Sequence, residues 1–229
     1  TANLAEADAW GGAATAITIN SASSQSRLLV RAEADGTAWA YGFDAADSFT
    51  APAFAMTLTV NATSRKNAGA NAIGIETRQI NLDLDGAIAA TASGGDNPVA
   101  VGIAAATGTI KVDGVIAAAT VKTGNAYALR GESGGTGLVI NVTGALFGGK
   151  NGNAAGVATQ LGNLVKSGGS AASWLSSITP APTSSDRYYA VSGTINADTL
   201  TLSNNAISVG DIDLGAGDDT LTVGATSQV

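Results

Sequence analysis

Between Asn71 and Gly149 the chain states nearly the same pattern three times, and that repetition bounds what it can fold into. Asn71-Ala72-Ile73-Gly74-Ile75, Asn97-Pro98-Val99-Ala100-Val101 and Asn125-Ala126-Tyr127-Ala128-Leu129 open successive units. Asn153-Ala154-Ala155-Gly156-Val157 reads as a fourth opening. The openings at 71, 97, 125 and 153 lie 26, 28 and 28 residues apart. Each unit then carries a stronger block: Leu82-Asp83-Leu84-Asp85-Gly86-Ala87-Ile88, Ile110-Lys111-Val112-Asp113-Gly114-Val115-Ile116 and Ile140-Asn141-Val142-Thr143-Gly144-Ala145-Leu146. Aligned, positions 82/110/140, 84/112/142 and 88/116/146 are apolar, and 86/114/144 are Gly. Positions 83/111/141 and 85/113/143 are polar, so the pattern is strand alternation with a glycine where the strand bends. A repeat of this length built from short strands, with no room for a helix, predicts a β-solenoid in which each coil buries the apolar row of its neighbour. Coils then stack at the strand spacing of about 4.8 Å.

Composition narrows the chemistry. The chain has no Cys and no His, which excludes a disulfide framework, a Cys or His metal site, and Ser-His-Asp or Cys-His nucleophile machinery. The net charge of −7 argues against nucleic acid and anionic membrane, which both select Lys and Arg. No apolar run approaches the roughly 20 residues of a membrane helix, so this segment is not expected to insert in a membrane. Thr1 opens without a charged n-region and apolar h-region, so a leader is expected to have been removed, or the chain to be a piece of a longer one.

Four segments are expected. Residues 1–55 are read as an N-terminal cap with a hairpin or tight corner at Asp35-Gly36. Their aromatic side chains either shield the first coil's open edge or form a ligand platform. Residues 56–163 are read as regular solenoid coils and 164–188 as a loop excursion around Pro180 and Pro182. Within or beside that excursion, Trp174, Tyr188 and Tyr189 are the candidate binding contacts, since solenoid insertions often carry binding. The alternative is that Trp174 packs back on the coil wall. Strand patterning returns over 189–229, in tighter coils, and the last strand is a template for pairing, so either the native protein continues or that edge is used for assembly.

Two acidic clusters are candidates for chemistry. Gly215-Ala216-Gly217-Asp218-Asp219-Thr220-Leu221 matches most of a calcium-roll repeat. Asp211, Asp213, Asp218 and Asp219 are therefore the candidate metal ligands, and calcium the one candidate cofactor. The competing reading is a glycine corner with solvated carboxylates, because a calcium roll needs consecutive copies. Stacking also places Asp85 over Asp113 and Asp83 over Lys111, an arrangement open to glycan hydrolysis or calcium, or simply a solvated face. No catalytic set is read, and the chain is not expected to be an enzyme.

The N-A-x-G-I opening followed by I-x-V-x-G-x-I, together with Ile212-Asp213-Leu214-Gly215-Ala216-Gly217-Asp218-Asp219-Thr220-Leu221, resembles the passenger repeats of bacterial autotransporters and large surface adhesins. The resemblance covers roughly residues 56–160 and 189–224. It implies an all-β, right-handed parallel β-helix, exported to the cell surface or beyond, with a role in adhesion or as a passenger stalk. It transfers no functional residues. The partner would be a host or cell-surface glycan. The chain lacks the barrel of an autotransporter and is short for a passenger. The alternative is therefore a homo-oligomer or end-to-end polymer, the subunit of an extracellular filament or surface layer. A polysaccharide lyase or hydrolase is the third class.

Overall fold

The structure, a computed structural model, describes residues 7–20, 26–66, 68–122, 124–170 and 186–229. It is a parallel β-solenoid with two stacked sheets. One sheet runs β1 (Ala7–Thr18), β3 (Ala38–Phe54), β5 (Ala70–Leu84), β7 (Val99–Val112), β10 (Gly137–Val142), β13 (Thr199–Leu202) and β16 (Thr220–Val223). The other runs β2 (Arg27–Ala34), β4 (Thr57–Ser64), β6 (Ala87–Ser93), β8 (Val115–Thr120), β11 (Ala145–Lys150) and β14 (Ile207–Val209). The long strand β7 divides the first sheet. Its first half pairs with β9 (Asn125–Gly131), which leads to β12 (Arg187–Ser192) and β15 (Asp211–Asp213). Its second half pairs with β10. Among the described residues no helix is long and apolar enough to cross a membrane.

The alternation of the repeat sets the register. Leu82, Ile110 and Ile140 pair in sequence, as do Leu84, Val112 and Val142, and Ile88, Ile116 and Leu146. All nine side chains are buried and form one dry interior with Phe49, Phe54 and Leu58. The column through Leu84 extends from Phe54 above to Leu202 and Val223 below. Gly86, Gly114 and Gly144 sit at the corner between the sheets. A Cβ there would lie 1.9–2.0 Å from the carbonyl oxygen of the coil above, so only glycine permits the corners to stack. The Asn openings are not all in register. Asn71 and Asn125 both pair with Val99, while Asn97 occupies the preceding corner at φ 51°, in the left-handed region that Asn tolerates.

Among the described residues of 1–55, the chain takes the tight-corner alternative at Asp35-Gly36 and not the hairpin. β2 and β3, on either side of Asp35-Gly36, lie in different sheets and pair in parallel with β4 and β5 of the next coil. Asp35-Gly36 is a corner. Both strands turn apolar residues inward (Val30, Ala32, Ala38, Ala40), and that surface is buried by stacking rather than by pairing with each other. Phe49 and Phe54 fill this end of the core, with Phe43 packed 5.5 and 6.3 Å from them between ring centroids.

The coil expected to run to residue 163 also ends early. Asn153 is the N-cap of a helix, α1 (Ala154–Ser167), and its side chain accepts from the Gly156 N–H at 2.9 Å. Gly168 closes the helix at φ 62°, with the Gly169 N–H bonded to the Leu164 carbonyl. Ala154, Val157, Ala158 and Leu161 recur at helical spacing and are buried against the outer face of the second sheet, on Ala89, Ala117, Ala119, Ala145 and Phe147. The departure from the solenoid is therefore a helix laid on the coil wall, and residues 171–185 of the expected excursion lie outside the described residues.

Candidate functional site

The strand-borne acids stack as expected, and a lysine bridges two of them. Asp83 pairs with Lys111, and the carboxylates of Asp83, Asp85 and Asp113 come within 4.8 Å of one another. The Lys111 ammonium lies 2.6 Å from Asp113 and 3.2 Å from Asp83, and the Thr143 hydroxyl donates to Asp113. Lys111 is held above its ordinary value, first by the hydrogen bond to Asp113 and then by that to Asp83. Partial burial pushes Asp113 up, but the bonds from Lys111 and Thr143 outweigh it and hold the carboxyl below its ordinary value. Lys111 thus offsets part of the negative charge of this group. The lowered Asp113 favours the fold at neutral pH and loses that contribution as pH falls through its folded value.

The four C-terminal candidates for calcium do not converge. Asp211 and Asp213 lie on β15 beneath Tyr189 and Ser192, whereas Asp218 and Asp219 precede β16, beyond a corner at Gly215 (φ 89°) and Gly217 (φ 133°). Two of them serve the backbone: Asp213 accepts from the Gly215 N–H at 3.0 Å and Asp219 from the Asp198 N–H at 2.8 Å. A related carboxylate, which sequence reasoning passed over, is the buried one of Asp198. It accepts from the Leu138 N–H at 2.6 Å, the Thr194 N–H at 2.6 Å and the Thr194 hydroxyl at 3.2 Å. Asp198 and Asp219 both precede a Thr-Leu-Thr run, and each bonds a backbone N–H of the coil above it. The shared D-T-L-T string was the available signal.

Tyr188 is not an exposed contact. It pairs with the inward Ala126 and is buried in the interior. Alternation turns Tyr189 outward, where its ring stacks on Tyr127 at 5.4 Å and 8° and its hydroxyl accepts from Arg187 at 3.2 Å. Trp174 lies outside the described residues.

The outer face that carries Tyr127 also carries a cleft. Tyr41, Ile73, Val101, Tyr127 and Tyr189 follow one another down the stack in register. Beside this strip opens a cavity of about 390 Å³, lined by Tyr41, Asp44, Ala45, Glu76, Arg78, Ala106, Glu132 and their neighbours. Asp44, Glu76, Ala104 and Arg130 pair in sequence, so a buried alanine separates Glu76 in the cleft from Arg130. Arg130 is tied at 2.6 Å to Glu132 through both Nε and Nη2, and its guanidinium lies 6.0 Å from the Tyr127 ring centre. The half-buried Glu76 accepts no hydrogen bond among the described residues. Burial pushes its carboxyl up; Arg130 opposes this, while Glu132 and Asp44 reinforce it.

A raised carboxyl means that the folded state binds the proton more readily, so ionised Glu76 costs stability above its folded value and stops doing so as pH falls. Glu76→Gln is therefore expected to raise the melting temperature at pH 7. The gain should vanish at acidic pH, where the native carboxyl is neutral, and paired thermal melts across pH check this.

No protein-family model, no curated protein and no solved structure matches this chain.

Proposed function

We propose that the chain is a structural element of a bacterial surface protein, a stiff extracellular solenoid segment of an adhesin or passenger stalk. The observation that carries this reading is the unbroken apolar column from Phe54 through Leu84, Val112, Val142 and Leu202 to Val223. Such a stack presents long, regular outer faces, which suits display. The passenger-like repeat supplies the compartment. Beads coated with the purified chain are expected to attach to an epithelial monolayer more strongly than beads coated with an inert protein; equal attachment overturns the adhesive reading.

One observation favours a second reading, end-to-end assembly of copies into a filament or layer. In β16, Leu221 and Val223 are 48% and 50% exposed, although they continue columns that are buried one coil above. A parallel strand from a second copy would cover both the apolar row and the open backbone edge. Light scattering that grows with concentration, and is lost on deleting residues 211–229, is the outcome this second reading requires.

A further inference from the structure

The geometry points to a saccharide-binding site in the outer-face cleft, where a neutral pyranose unit lies against the Tyr41 ring and donates its hydroxyl hydrogens to Glu76 and Asp44. This deepens the adhesive reading and rests on it, by naming where the surface ligand binds and what it is.

Four observations converge. The volume of about 390 Å³ falls in the range of small-molecule sites, roughly 300–1,000 Å³. The small side chains of Ala45 and Ala106 leave that volume empty, and the walls other than the Glu132-Ser133 turn belong to strands β3, β5 and β7, at the point where the β3–β5 register shifts. Tyr41 offers an apolar ring, set nearly parallel to Trp39 (6.1 Å, 4°), on which the C–H face of a sugar can rest. Glu76 is a half-buried acceptor that lines the cleft with no donor among the described residues. A ligand rich in hydroxyl donors completes it.

Charge selects among sugars. The cleft is lined by three carboxylates, Asp44, Glu76 and Glu132, against Arg78, and the neighbouring Arg130 is already tied to Glu132. The balance is acidic, so a uronate or sialylated ligand meets repulsion, whereas a neutral sugar does not. The burden on Glu76 fits a binding role: a carboxylate whose partial burial outweighs the pull of Arg130 weakens the fold, and a sugar hydroxyl would relieve it.

The test titrates the purified chain by calorimetry with neutral gluco-, xylo-, manno- and galacto-oligosaccharides and with oligogalacturonate. At least one neutral oligosaccharide is expected to bind with a micromolar to millimolar Kd, and oligogalacturonate is not. Glu76→Gln and Tyr41→Ala should each weaken binding by about tenfold, a loss expected from one good contact. Tyr41→Phe, which keeps the ring, should retain it. Glu76→Gln separates the roles further, because it weakens binding while stabilising the fold at neutral pH; a purely structural residue cannot move both readouts in these directions. Absence of binding by every neutral oligosaccharide at millimolar concentration overturns the site, as does binding unchanged in both variants or stronger binding of oligogalacturonate. Bead attachment without sugar binding sinks the cleft and leaves the adhesive reading standing. Sugar binding without attachment does the reverse.

Discussion

Asp198→Ala is expected to remove about 3 kcal/mol of stability, because it orphans two buried backbone donors at about 1–3 kcal/mol each. The carboxylate is 1% exposed and spans two coils, taking the Leu138 N–H from one and the Thr194 N–H and hydroxyl from its own. Nothing else occupies its place: a Cβ added at Gly193 would lie 2.6 Å from Asp198 Oδ2. Asp198→Asn should cost nearly as much, since one acceptor oxygen becomes an NH₂ group facing an N–H donor. Asp219→Ala is the internal control. Its carboxylate makes one such bond, at a half-exposed position, so its loss should come to about 1 kcal/mol. Urea unfolding of the three variants measures the order; equal effects for Asp198→Ala and Asp219→Ala would show that the Asp198 network is not a stabilising joint.

Leu84→Ala is the second large effect, expected at about 2–5 kcal/mol from lost burial plus the cavity left behind. Leu84 is fully buried, between Phe54 above and Val112 below, and the parallel ladder holds its neighbours at a fixed spacing. The coils cannot collapse into the gap without breaking ladder hydrogen bonds, which places the cost in the upper half of that range. A matched change on the outer face, Asp83→Ala, removes only an exposed ion-pair partner of Lys111 and should cost about 1 kcal/mol or less. Chemical denaturation distinguishes the two. Comparable losses would mean that the interior column is not where the stability lies.

Much of the fold was legible because strand chemistry is local. The period-two alternation of Leu82-Asp83-Leu84-Asp85 and its two copies specified which side chains face inward, and Gly86, Gly114 and Gly144 marked the corner. The helix was legible too and was misread. Ala154, Val157, Ala158, Leu161, Leu164 and Val165 have helical spacing between an Asn cap and a Gly stop, but the Asn153 opening mimicked a coil start. A second signal pointed the same way. In Ala87-Ile88-Ala89-Ala90 and Val115-Ile116-Ala117-Ala118-Ala119 the alternation disappears, which is the mark of a strand buried on both faces. Something had to cover that outer alanine band.

The candidate site was less legible. Tyr189 was singled out, but its stacking partner Tyr127 lies 62 positions earlier in the chain, and Glu76 and Arg130 were not singled out at all. Neither residue belongs to a motif. They matter because the stack sets Glu76 at the cleft and Arg130 one coil beyond Ala104, where the long strand β7 divides.

The sequence by itself determined the parallel stack, its interior columns and its glycine corners, since these follow from side-chain alternation and from backbone sterics within a few residues. Only the tertiary structure decided that Tyr188 is interior, that Lys111 bridges Asp83 and Asp113, that Asp198 joins two coils and that Glu76 is left without a donor among the described residues. Those outcomes depend on the lateral register of coils of unequal length. That register is set by how whole coils pack, and residues adjacent in the chain do not encode it.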